Sequence, residues 1–138
     1  MRNVKSLFFV ALVALVAGLS SCKKEVSYSE SDIIGTWQET GTEAFMCFTT
    51  EQDKTAEYKY GYEWDEAQDI FPADLVKYGN GWFKWKIVKA DLTQIHLMDN
   101  GGAEIPKVYN ILKLNETNLE IEDEFKSKHT YNKVATKK

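Results

Sequence analysis

One short stretch decides the fold, and it reads Tyr58-Lys59-Tyr60-Gly61-Tyr62-Glu63-Trp64. Aromatic residues occupy every second position, and charged residues or glycine stand between them. Successive side chains of a β-strand point to opposite faces, so this spacing predicts a strand with one aromatic face and one charged face. We expect the aromatic side chains to point into the protein, because leaving four of them in water forfeits a large hydrophobic gain.

The same alternation recurs further along the chain. Phe83, Trp85 and Ile87 alternate with lysines, and Leu119 and Ile121 alternate with glutamates. Short runs of this kind, separated by Gly, Asn and Asp, are typical of strands. We predict eight strands, over residues 33–40, 43–50, 54–64, 81–90, 92–98, 104–114, 117–124 and 126–134.

Eight short strands in sequence predict an all-β, up-and-down barrel. A sheet with one apolar face needs a second layer or closure, and closure also removes exposed strand edges. The segments 99–102 and 115–118 are rich in Asn and Gly and predict tight turns. Only 65–80 breaks the rhythm. Pro72 and Gly79 bracket a short helix there, and such an insertion is either a binding loop or a plain solvated loop.

Composition excludes several classes of function. The chain has 138 residues and a net charge of −4, and its first 21 residues contain Arg2 and Lys5 but no acid. This size suits one domain, and the acidic balance argues against a nucleic-acid partner, which needs clustered Lys and Arg. Two Cys and two His give little material for a disulfide framework or a zinc site. We predict no cofactor and no metal.

Individual polar residues have ordinary interpretations. We expect Cys47 to be a buried, inert thiol, and His96 and His129 to be strand-surface residues without metal-ligand spacing. The acids of segment 65–74 do not match the spacing of a calcium loop, so a solvated loop face is the expectation.

The first 22 residues indicate where the protein is located. Arg2 and Lys5 precede an apolar run over 6–18, which has the length of a signal-peptide core and is too short for a spanning helix. The boundary sequence Leu19-Ser20-Ser21-Cys22 resembles the lipobox of bacterial lipoproteins. An ordinary secretory leader with a chance cysteine is the alternative.

The lipobox resemblance implies a domain layout. Residues 1–21 would be a cleaved signal peptide, and an acylated Cys22 would attach the protein to a membrane. The polar, Ser-rich stretch that follows predicts a flexible tether over 22–32, then a barrel domain over 33–134 and a tail over 135–138. The resemblance implies the cell envelope and the outer membrane, with the periplasmic and surface faces both open.

Two further patterns resemble the lipocalin-like domain of Bacteroidetes-type bacterial lipoproteins. One is Ile34-Gly35-Thr36-Trp37, and the other is the run from Tyr109 to Leu114 followed by Asn118 to Ile121. In that family the tryptophan, here Trp37, plugs the closed end of the barrel, and the glycine, here Gly35, lets the strand bend. A domain this small tends to fill its barrel with its own side chains.

The aromatic stripe is the candidate ligand site, although such stripes also serve as plain core packing. The candidate residues are Tyr58, Tyr60, Tyr62, Trp64, Phe83 and Trp85. We predict non-catalytic binding of a small hydrophobic or aromatic ligand. Several buried Tyr hydroxyls need hydrogen-bond partners, which favours a partly hydrated cavity over a dry core. The alternative is an interaction module with a filled barrel that presents its rim or loop to a protein or glycan. An enzyme is not expected, since no acid/base pair, nucleophile motif or metal cluster stands out.

Overall fold

The computed structural model describes residues 26–99 and 103–135 and contains eight β-strands. The predicted signal peptide, Cys22 and most of the predicted 99–102 turn lie outside these residues. All eight predicted strands are present, with ends that differ by a few residues. Their bounds are β1 Gly35–Glu39, β2 Ala44–Gln52, β3 Lys59–Asp65, β4 Trp82–Val88, β5 Asp91–Leu97, β6 Glu104–Leu114, β7 Asn118–Glu122 and β8 Lys128–Val134.

The strands form a closed antiparallel barrel in sequence order. Each strand pairs with the next, and β8 returns to pair with β1, with Thr36 opposite Val134 and Glu39 opposite Tyr131. Closure satisfies the backbone groups of both terminal strands, so neither is left as an exposed edge. The predicted eight-stranded up-and-down barrel is confirmed.

Large side chains fill the middle of the barrel. Trp37, Phe48, Phe83 and Trp85 are almost completely inaccessible to solvent. The Phe48 ring packs edge-on against Phe83 and Trp85, with centroid separations of 5.5 and 5.2 Å. Aliphatic residues complete this core, namely Ile33, Leu92, Ile111, Leu119 and Ile121. The core is a packed interior in this region, as expected for a barrel of eight strands.

A single-turn helix, α1 (Glu30–Ile33), lies across one end of the barrel and closes it. Ser29 caps the helix by accepting a hydrogen bond from the Ser31 N–H. The Trp37 indole donates a hydrogen bond of 2.8 Å to the Ile33 carbonyl, which ties β1 to the helix. The backbone at Gly35 has φ of +128°, a conformation that residues with a Cβ rarely adopt, so glycine is favoured at this bend.

The predicted tether is wrong for residues 28–32, which belong to the fold. The Tyr28 N–H donates to the Lys89 carbonyl at 3.0 Å. One carboxylate oxygen of Glu30 lies 2.7 Å from Lys59 Nζ, and the other accepts from the Ile87 N–H at 2.9 Å. The polar composition of this segment suggested solvent, but Glu30, one of its two acids, is held by partners on β3 and β4.

The insertion between β3 and β4 contains two short 3-10 turns, Glu66–Gln68 and Pro72–Asp74. Pro72 begins the second turn as predicted, but the turn ends at Asp74, well before Gly79. The side chains of Asp65 and Asp74 accept hydrogen bonds from the backbone N–H groups of Ala67 and Phe71. These acids therefore shape the loop. Across the described residues, no helix has the length and apolar character needed to cross a membrane.

Replacing Trp37 with alanine should lower the free energy of unfolding by about 3–5 kcal/mol, because it empties a fully buried site and leaves the Ile33 carbonyl without its donor. Trp37→Phe keeps a ring in the site and should cost less. Urea denaturation of a chain that begins at Val26, followed by circular dichroism, measures both. Equal losses in the two variants would contradict this account of the closed end.

Candidate functional site

The aromatic stripe lies on the outside of the barrel, so its predicted inward orientation is wrong. Strand β3 places Lys59, Gly61 and Glu63 on the inner face, where Gly61 is opposite Phe48 and Phe83 in the neighbouring strands. Tyr58, Tyr60, Tyr62 and Trp64 therefore face outward. Lys86 Nζ of the outer face of β4 lies 4.8 Å from the centroid of the Tyr58 ring.

The inner face of β3 carries glycine and charged residues in place of apolar ones, and each has a local reason. A Cβ at Gly61 would lie 2.6 Å from the Phe83 ring and 2.7 Å from the Cys47 carbonyl, so the crowded centre accepts only glycine. Lys59 is at the closed end, where it pairs with Glu30. Glu63 is at the opposite, open end. The alternating pattern correctly predicted the strand. It did not predict which face is exposed to solvent, because the charged residues Lys59 and Glu63 lie on the inner face.

The outward aromatics are covered by the segment 66–81, which we call the strap. Phe45, Cys47 and Trp64 form a second buried cluster outside the barrel wall, with Leu75 of the strap packed against it. The rings of Phe45 and Trp64 stack with centroids 5.1 Å apart. Cys47 is buried and unbridged, as predicted.

The strap is held to the barrel by polar contacts and by ring packing. The Tyr78 ring packs on Tyr60 with centroids 4.4 Å apart, and its hydroxyl donates to the Glu51 carboxylate. At the end of the strap, the Asn80 N–H donates to Asp99 Oδ1 at 2.8 Å. Tyr60, Tyr62 and Trp64 therefore pack between the barrel wall and the strap, whereas Tyr58 lies under the lysine side chains of β4.

Phe83 and Trp85, the other two candidate residues, do point inward. Both are fully buried in the filled middle of the barrel. The Trp85 indole donates to the Tyr60 carbonyl at 3.1 Å, so its polar atom is already used. They pack beneath the open end and do not line a cavity there.

The open end of the barrel contains a cavity of about 410 Å³, which we call the mouth cavity. This volume is within the range of small-molecule sites. Met46, Gln94 and Ile121 are buried residues that form its floor. Six strands and the strap contribute its other lining residues, which are Glu39, Ala44, Phe45, Glu63, Trp64, Asp65, Ile70, Leu75, Asn80, Gly81, His96, Lys107, Tyr109 and Tyr131. Of the predicted ligand residues, Trp64 alone is among the described residues that line it.

A chain of polar contacts crosses the cavity from β3 to β5. Glu63 Oε1 lies 3.4 Å from His96 Nδ1, and His96 Nε2 lies 2.8 Å from Gln94 Oε1. The Gln94 amide nitrogen donates to the Met46 sulfur at 3.5 Å, a weak acceptor. With Nε2 protonated and donating to Gln94, neutral His96 presents Nδ1 as an acceptor toward Glu63. Glu63 donates to it when its carboxyl is protonated.

Burial controls ionisation in this chain of contacts. Burial and the nearby charge of Lys107 lower the pKa of His96 to about 4. Burial raises the pKa of Glu63 above its ordinary value, and Lys107 only partly offsets that rise. Both shifts favour the neutral forms, because a charge near the barrel interior loses hydration.

Two tyrosines and a second histidine complete the open end. Burial raises the pKa of Tyr109 to about 12, with Glu63, Asp123 and Glu124 adding to the rise. Burial and the carboxylate of Glu39 likewise raise the pKa of Tyr131.

His129 lies between two carboxylates at the rim. Its Nε2 is 3.1 Å from Asp123 Oδ2, and its Nδ1 is 3.3 Å from Glu39 Oε2. The hydrogen bond to Asp123 raises the pKa of His129, and Glu39 adds to the effect. The imidazole joins β1, β8 and the β7–β8 turn, and its raised pKa favours the protonated form.

Sequence reasoning missed these groups because it treated both histidines as surface residues. His96 and His129 face inward, and the side chain of His96 is only 14% exposed. A signal for His96 was present, since Leu92, Gln94 and His96 share one parity and Leu92 is fully buried. In the described part of the chain, no three His, Cys, Asp or Glu residues are arranged to hold a metal ion.

Comparison with known proteins found no match to any family model, curated protein or solved structure. The assignment of function therefore rests on the residues of the mouth cavity and on the sequence patterns.

His96 should titrate in the folded protein with a pKa of about 4, and His129 should titrate above the ordinary 6.5. The unfolded chain binds a proton at His96 between pH 6.5 and 4 that the folded chain does not, so His96 makes the free energy of unfolding fall as pH is lowered through that window. NMR titration of the two imidazoles measures the values, with His129 as the internal control. His96→Gln should flatten the fall. A His96 pKa near 6.5 would refute the buried, neutral assignment.

Proposed function

We propose that this chain is a lipid-anchored lipoprotein of the bacterial cell envelope whose barrel binds a small apolar or aromatic molecule without catalysis. The observation that carries the binding role is the mouth cavity, an open space at one end of an otherwise packed barrel. The closed barrel, the buried Trp37 beside Gly35 and the lipobox-like boundary at Cys22 all support the likeness to lipocalin-like lipoproteins. The proposed ligand site is the mouth cavity instead of the aromatic stripe.

The composition of the cavity suits recognition of a ligand with an apolar body and a polar group. Met46 and Ile121 offer apolar contacts at the floor, and Gln94 has amide capacity beyond its weak bond to sulfur. Tyr109 and Tyr131 add rings with polar tips. A few placed polar groups in a mainly apolar cavity are typical of binding sites.

The lining favours binding over covalent chemistry. None of the described residues that line the cavity is a serine, threonine or cysteine, the usual nucleophiles of acyl transfer. Among the described lining residues, the Glu63–His96 pair therefore has no serine, threonine or cysteine that it could activate. Burial keeps His96 neutral at physiological pH, which suits a hydrogen-bonding role.

The interaction module remains the second candidate because of the residues around the open end. Large apolar side chains of the strap and of the strand ends are exposed there, including Ile70, Phe71, Met98, Ile105 and Phe125. Phe125, at the β7–β8 turn, is 80% exposed. Clustered exposed apolar residues of this kind mark contact surfaces.

Cys22→Ala should abolish incorporation of radiolabelled fatty acid when the full chain is expressed in a bacterium that processes lipoproteins. The leader should also remain attached, because its removal follows acylation in lipoproteins. Cys47→Ala is the matched control and should keep the label, since that thiol is buried in the barrel wall. Labelling that survives in Cys22→Ala would refute the lipoprotein assignment.

Plugging the mouth cavity should abolish ligand binding. Ala44 lines the cavity at the rim, so Ala44→Phe should reduce binding of the uncharged fluorescent probe N-phenyl-1-naphthylamine at least about tenfold, the effect of losing roughly 1.4 kcal/mol of contact. Val88→Phe adds the same ring at the other end of the barrel and should leave binding unchanged.

The measurement uses the chain that begins at Val26, with displacement of the probe by fatty acids, bile acids, haem and aromatic metabolites. Every described strand pair lies within this chain. Equal probe binding in the two variants, or no displacement by any compound, would contradict the binding role and leave the interaction module as the better account.

A further inference from the structure

The charges around the mouth cavity are predominantly negative. Glu39, Glu63 and Asp65 bring carboxyl groups to the lining, and Lys107 brings an amine. Glu39 already has a cationic partner in His129. Asp65 caps the first 3-10 turn of the strap. Glu63 is the carboxyl that faces the cavity from the inner surface of the barrel wall.

Glu63 lines the mouth cavity with its side chain 42% exposed, so its carboxyl can be reached from the cavity. Within the described residues, its side chain contacts His96 Nδ1 at 3.4 Å, and a neutral His96 offers an acceptor at that atom. Burial accordingly raises the pKa of the Glu63 carboxyl, with Lys107 opposing the rise. A cation bound beside Glu63 would add to the partial stabilisation that Lys107 gives its carboxylate.

Two tyrosines at the open end, Tyr109 and Tyr131, lie near several carboxyl groups, including Glu63. After burial, the charges of Glu63, Asp123 and Glu124 are what raise the pKa of Tyr109. Glu39 and Glu63 act in the same direction on Tyr131. Of these carboxyl groups, Glu39 and Asp123 also contact His129, and Glu63 faces the cavity. The π-faces of the tyrosine rings attract cations.

We propose that the mouth cavity takes a small molecule whose apolar body carries a protonated amine. The ammonium group lies beside Glu63 and the tyrosine rings, and the body packs on Met46 and Ile121. An ammonium group donates up to three hydrogen bonds, and Glu63 accepts one of them. Lys107 lies at the exposed edge of the cavity, where solvent screens its charge. This inference rests on the proposed binding role and names its ligand class.

Two matched ligand series test the charge preference. Tryptamine, tryptophol and indole-3-propionate share an indole body, and octylamine, octanol and octanoate share an alkyl chain. Isothermal titration calorimetry at neutral pH on the chain that begins at Val26 should show the amine binding about tenfold more tightly than the alcohol of its series, the effect of one charge-assisted hydrogen bond. The carboxylate should bind most weakly.

Glu63→Gln should reduce the amine-to-alcohol preference to near one while alcohol affinity stays within about twofold, because the amide keeps the shape of the side chain and removes its charge. Glu120→Gln is the matched control. Glu120 lies on the outer face of β7 opposite Lys113, so the preference should be unchanged there.

The outcomes separate this inference from the proposed function. If alcohols or carboxylates bind as tightly as the amines, or if Glu63→Gln keeps the preference, the amine assignment is wrong while the cavity remains a binding site. If no member of either series binds and other compounds displace the fluorescent probe, the amine assignment is again wrong. If nothing binds at all, the proposed function fails with it.

Discussion

The antiparallel pairing of β1 with β8 is the constraint from which the rest of the structure follows. It brings Thr36 opposite Val134 and Glu39 opposite Tyr131, and so turns an eight-stranded ribbon into a ring. A ring of eight strands encloses a fixed, narrow volume. Four large aromatic side chains occupy its middle, and α1 covers one end with Ile33. The space that is left lies at the other end, where the inner faces of the strands carry polar residues.

The two ends of the barrel use charged residues in opposite ways. At the closed end, Lys59 and Glu30 neutralise each other at 2.7 Å, and Glu30 also accepts from a backbone N–H, so the charges hold the helix in place. At the open end, Glu63 faces a neutral imidazole and a cavity. The first arrangement satisfies the charges within the protein. The second leaves hydrogen-bonding capacity directed at whatever occupies the cavity, which is why the binding proposals centre on it.

The sequence predicted the strands, their number and their closure, because alternation is a local signal that eight segments repeat. It did not predict which face of β3 is inner. That choice depends on Gly61, whose missing side chain admits the Phe83 ring from β4, and on Lys59, whose partner Glu30 is 29 residues away. Nor did it predict that the strap would cover the outward rings. The mouth cavity was equally hidden, since its lining comes from seven strands, although the shared parity of Leu92 and His96 was a usable clue.

The hydrogen bond from the Tyr28 N–H to the Lys89 carbonyl fixes where the preceding residues attach to the barrel. Lys89 lies in the connection between β4 and β5, on the side of the molecule that α1 seals. The described chain therefore begins at the sealed end of the barrel, opposite the mouth cavity. Under the proposed lipid anchoring, attachment and ligand entry would use opposite ends of the barrel and would not compete for one face.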